Sequence, residues 1–157
     1  MKKTGFTLVE AVVSVAVIGI VLVSLSGVSA FLTRASNGNT AKIQALFLAE
    51  EGIEIMRILR DQGWTTNIAS ISLNSPFYLS FTGGNWQKSA TNVFIDGLFE
   101  RKVTLESVQR DSSSNIVSSG GTVDPNIKKI IVSVSWSTRG ATTTKSLSTY
   151  LANNFND

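Results

Sequence analysis

Glu10 is the one charged side chain between Lys3 and Arg34, and it opens an apolar run, Ala11 to Thr33, of 23 residues. At ~1.5 Å per helical residue such a run spans the ~30 Å hydrocarbon core of a bilayer. An ionised carboxylate at depth there costs roughly 2.5 kcal/mol or more on insertion scales. Three kinds of chemistry would accommodate it. Glu10 can reach the polar interface and stay solvated. The stretch can be a secretory signal removed after Val28-Ser29-Ala30, leaving Phe31 as the new N-terminus, although such apolar cores ordinarily run only about 7–15 residues. Or Glu10 can meet a cation inside the membrane or inside an assembly, because a buried anion is tolerated when paired and hydrogen-bonded.

Elsewhere the sequence offers little chemistry. It contains no histidine and no cysteine, which removes the commonest general base and the usual structural zinc ligands. Asp96, Glu100, Glu106, Asp111 and Asp124 could supply oxygen ligands, but their spacing is not that of a calcium loop. The serines between 112 and 120 have no histidine or lysine arranged to activate them. Trp64, Trp86 and Trp136 read as packing residues. No catalytic residue, metal site or cofactor is expected. The formal charge is +3, and loss of Lys2 and Lys3 would leave 12 basic against 11 acidic side chains, a net of +1. Apart from Lys128-Lys129 no basic cluster remains, so nothing in the charge distribution supports nucleic acid as a partner.

What surrounds Glu10 is more specific. Lys2 and Lys3 followed by Gly5-Phe6-Thr7-Leu8-Val9-Glu10 and the apolar run resemble the type III signal of the type IV pilin family. The resemblance implies cleavage between Gly5 and Phe6 by a prepilin peptidase on the cytoplasmic face, then N-methylation of the new Phe6 amine. It also implies that Glu10 pairs with the Phe6 amine of a neighbouring subunit as the filament assembles on an inner-membrane platform. The basic end keeps the leader cytoplasmic and sends the rest of the chain outward. The family often has a proline where this chain has Gly27; local unwinding between Gly19 and Val28 in the assembled state is a further expectation.

These residues need elements to hold them. The reading is α+β: a long N-terminal helix, hydrophobic in its first half and amphipathic in its second, packed on a small antiparallel sheet of three or four strands. Its divisions are a leader at 1–5, a transmembrane and filament-core helix at 6–33, an amphipathic helix at 34–63 and a β-sheet domain at 64–157. Polar residues from Arg34 to Thr40 suggest a bend or short break, with Thr40 as N-cap of the second half. Ile43, Leu46, Phe47, Ile53, Met56 and Leu59 recur at helical spacing as its buried face, and Gly63 ends it. Residues 64–98, with Pro76 and Gly83-Gly84, read as a long connection holding at most one hairpin. Alternation predicts strands over Phe99–Gln109, Ile130–Ser137 and Thr142–Leu151. Arg139-Gly140 would be the turn between the last two, an exposed loop would surround Ile116-Val117, and Asn153–Asp157 would fray.

The resulting expectation is a single-pass cytoplasmic membrane protein that becomes a subunit, major or minor, of an extracellular type IV pilus. The same parts would serve a pseudopilin of a type II secretion or DNA-uptake machine. A membrane-anchored binding domain that never polymerises is the reading from another class; it requires neither cleavage at Gly5–Phe6 nor any particular role for Glu10.

Overall fold

The computed structural model describes residues 7–138 and 140–154, and within them every side chain except those of residues 35, 37 and 38. The chain divides into two compact units, Met1–Ala41 and Lys42–Asp157. One helix, α1, runs over Leu8–Asp61 and contributes to both. The expected break at 34–40 is absent from it. Thr40 is not an N-cap; its hydroxyl donates to the Ser36 carbonyl at 3.1 Å, the back-bonding of a residue already inside a helix.

In the first unit every described side chain from Thr7 to Thr40 is exposed, the large aliphatics of the apolar run included. The most apolar window of the helix has a mean hydropathy of 2.7, long and apolar enough for a bilayer crossing. Gly19 and Gly27 lie within continuous helix, with no atom close to where a Cβ would stand.

The second unit follows the α+β plan. Among the described residues six strands form two sheets: β1 (Tyr78–Thr82) with β2 (Asn85–Ser89) as an antiparallel hairpin, and a four-stranded antiparallel sheet. The latter comprises β3 (Glu100–Arg110), β4 (Ile116–Val117), β5 (Thr122–Thr138) and β6 (Ala141–Ala152), in the order β4-β3-β5-β6. The hairpin turn is Gly83-Gly84, at φ 63° and 81°. Two successive positive values are what a type I′ turn demands, and a Gly-Gly pair adopts both without strain. Trp86 and Phe81 meet edge to face across it, with centroids 5.2 Å apart.

The inner face of the large sheet carries Phe99, Arg101, Val103 and Leu105 beside Ile130, Val132, Val134 and Trp136, all buried, with Leu151 from β6. Against it lies the C-terminal part of α1, whose buried residues are Ala45, Ala49, Gly52, Ile55, Met56 and Leu59. The stripe named from the sequence is corrected here. Met56 and Leu59 belong to it, but Ile43, Leu46 and Phe47 are 55%, 40% and 63% exposed and Ile53 is half-buried. Small residues face the sheet because the backbones approach closely. A Cβ on Gly52 would stand 2.7 Å from Cγ1 of Val132 and 3.2 Å from Cδ of Arg101.

Two strands exceed their expected bounds. Ile116-Val117 pairs with the end of β3 as β4, where a loop was expected. β5 begins at Thr122, eight residues before Ile130. Its register against β3 jumps from Ser107↔Lys128 to Val108↔Asp124, so Pro125, Asn126 and Ile127 have no β3 partner. Pro125 is accommodated where β3 asks for no N–H. Gly63, at φ 145°, follows the end of α1 as expected, and a short π-helical turn, Thr65–Ala69, comes next.

Candidate processing and assembly site

Gly5 and Phe6, the expected cleavage and methylation positions, lie outside the described residues. The described part of the site begins at Thr7, the residue before the first helical position. Its hydroxyl accepts from the Glu10 N–H at 3.4 Å, and its carbonyl accepts from the Ala11 N–H at 3.1 Å. Thr7 is thus the N-cap of α1. Thr7-Leu8-Val9-Glu10 has the Ser/Thr-x-x-Glu spacing of a capping box, with Glu10 at the third helical position. Sequence reasoning missed Thr7, although that spacing was there to find.

Glu10 is exposed in the first turn of the helix, where a negative charge interacts favourably with the unsatisfied N–H groups and the helix dipole. Among the described residues no side chain meets its carboxylate. Four hydroxyls of the run are satisfied within the helix. The hydroxyls of Ser14, Ser24, Ser26 and Thr33 donate to the carbonyls of Glu10, Ile20, Leu22 and Ser29 at 2.7, 2.8, 2.9 and 3.0 Å. The segment presents an aliphatic surface interrupted by one carboxylate at its amino end. That arrangement can take a cation delivered close to the helix N-terminus.

Four of the acids considered as oxygen ligands, all but Asp96, go to separate partners. Glu100 accepts from the Tyr78 hydroxyl at 3.1 Å, the Asn92 amide at 3.2 Å and Lys102 at 2.9 Å, and that contact raises the Lys102 pKa. Glu106 pairs with Lys129 at 2.9 Å, which raises the lysine pKa. Asp124 accepts from Arg110 at 2.7 Å and from the Asn126 N–H at 2.9 Å; both hold its pKa below the ordinary range. Asp111 closes its own loop by accepting from the Asn115 N–H at 2.8 Å, the Asn115 amide at 3.1 Å and the Ser113 N–H at 2.9 Å, and its pKa falls for that reason. Among the described residues no three acids converge. Trp64 and Trp136 are buried, the latter 6.0 Å from Phe99, whereas Trp86 is half-buried beneath the Arg101 guanidinium.

No curated protein and no solved structure is significantly similar to this chain. Residues 1–26 match the family model described as the prokaryotic N-terminal methylation motif, so the chain carries the prepilin signal characteristic of type IV pilins and pseudopilins.

Proposed function

We propose that the protein is a structural filament subunit of the type IV pilus kind, made as a membrane-anchored prepilin. A prepilin peptidase removes residues 1–5, the Phe6 amine is methylated, and the matured helices bundle. Glu10 then pairs with the Phe6 amine of the adjoining subunit, which sets the axial register between neighbouring helices. The carrying observation is the methylation motif over residues 1–26, joined to a helix whose described side chains from Thr7 to Thr40 are all exposed in the isolated chain. Such a surface is stable only in lipid or against other apolar surface. Bundling offers the second environment once the first is left.

The mass and N-terminal sequence of the chain extracted from membranes and from sheared surface filaments test this reading. A methylated Phe6 in both samples supports it. A chain beginning at Phe31, or filaments whose subunits keep Lys2 and Lys3, overturns it.

A further inference from the structure

The outer face of the large sheet carries a pocket that the filament reading does not use. Its volume is about 360 Å³, at the lower end of the range in which small-molecule sites fall. Glu106, Lys129 and Tyr150 stand in one cross-strand row of β3, β5 and β6 and form its floor. Ser107, Gln109 and Ile116 bound it on the β4 side.

The register jump after Ser107 builds this floor. Leu105 and Val108 are both buried, so two residues rather than one separate consecutive inward side chains, and Glu106 and Ser107 both stay accessible. Irregularities of this kind re-aim side chains and recur beside binding sites.

The chemistry of the lining selects a ligand class. Tyr150 is 51% exposed and offers an aromatic face. Lys129 and Glu106 neutralise one another at 2.9 Å while each keeps hydrogen-bonding capacity, the ammonium as donor and the carboxylate as acceptor. Gln109 uses Oε1 to accept from the Gly121 N–H at 3.1 Å, which leaves its amide NH₂ to donate into the pocket. A flat aromatic ring, paired donors and acceptors and no net charge suit a ligand with hydroxyls around an apolar ring face. They do not favour an anion.

The larger cavity, about 400 Å³ beside Ser70 and Phe77, has no carboxylate in its lining to pair with a cation. Its Lys88 ammonium is engaged by the carbonyls of Thr66 and Asn67 and the hydroxyl of Ser70 at 3.2–3.3 Å.

We infer that the Glu106–Lys129–Tyr150 pocket binds a neutral saccharide, one ring stacked on Tyr150 and its hydroxyls bridging Lys129, Glu106 and Gln109. This goes beyond the proposed filament role and does not depend on it, because the pocket is complete within one chain.

Saturation-transfer NMR on the full chain, held in a zwitterionic detergent without a sugar headgroup, tests the site with lactose, cellobiose and diacetylchitobiose. Sialyllactose and inorganic phosphate serve as anionic probes. At least one neutral disaccharide should saturate in the millimolar range, weaken about tenfold or more in Tyr150→Ala and stay within about threefold in Tyr150→Phe. Absence of saturable binding by all three neutral sugars overturns the inference. So does unchanged affinity in Tyr150→Ala, or tighter binding of phosphate or sialyllactose than of any neutral sugar. Failure here with a methylated Phe6 on the purified chain leaves the filament reading intact.

Discussion

Arg101 on β3 and Glu51 on α1 are joined at 2.7 Å, and the same guanidinium donates to the Leu48 carbonyl at 3.1 Å. The Arg101 side chain is 4% exposed, its Nε has no hydrogen-bond partner, and Trp86 covers the group at 5.6 Å. A charged group thus stands where an aliphatic one would be expected, on the inner face of the sheet and under the helix. Its stem crosses α1 beside Gly52, where a Cβ would approach within 3.2 Å of Cδ.

Removing one partner of such a pair leaves the other under-compensated. Because Glu51 is 46% exposed, Glu51→Gln should cost only about 1 kcal/mol. Arg101→Ala loses packing as well as charge and should cost about 3 kcal/mol. Arg101→Met keeps the stem without the charge and should fall between wild type and Arg101→Ala, or exceed wild type. Near-UV circular dichroism during denaturation of the full chain in detergent ranks the three.

Gly52→Ala gains about 1 kcal/mol of intrinsic helix propensity, yet the added methyl would stand 2.7 Å from Val132. Overpacking of that kind costs about 1–3 kcal/mol, so the variant should be less stable than wild type. Adding Val132→Ala should return part of the loss. The double variant would then be more stable than the sum of the single effects, and a double-mutant cycle measures the difference.

Glu10 has two separable properties, its place in the first turn and its charge. Glutamine at the third position of a helix still fits a capping box, but it cannot neutralise an ammonium. Glu10→Gln should therefore leave cleavage and helix content unchanged and reduce incorporation into filaments, as should Glu10→Ala. Normal incorporation of Glu10→Gln would show that capping alone matters. A bulky residue at Gly5 should leave the full-length mass on the membrane-extracted chain.

The Arg110 contact to Asp124 gives the second unit an acid-sensitive fastening. A carboxyl held below its ordinary pKa of 3.8 adds stability above that value, and the contribution disappears as pH falls through the lower folded value. The wild type should lose stability more steeply than Asp124→Asn below pH 3.8. Denaturation midpoints measured from neutral pH downward should converge for the two proteins at the acid end.

Much of this architecture was legible because its signals were strong and local. Val132, Val134 and Trp136 alternate with serines, and the apolar run at 11–33 has no competing pattern. The helix face is harder to read from the sequence because large apolar residues at helical spacing point to the wrong side. Close approach instead selected Ala45, Ala49 and Gly52, which carry little hydropathy, and left Phe47 outside. The start of β5 was hidden by Asp124-Pro125-Asn126, a turn by composition that the sheet absorbs as an irregularity against β3. At the N-terminus, Glu10 was conspicuous as a charge out of place, whereas Thr7 was passed over because a capping threonine looks like any other polar residue.

The back-bonded hydroxyls of Ser14, Ser24, Ser26 and Thr33 bear on how the helix changes surroundings. Since each closes its bond on its own backbone, those groups form and break none when lipid is exchanged for protein neighbours. They make the outer surface of the run nearly solvent-blind. The exchange is then felt electrostatically chiefly at one end, and a partner arriving elsewhere along the helix would find shape to match and, the Ser29 hydroxyl apart, few unspent donors to read.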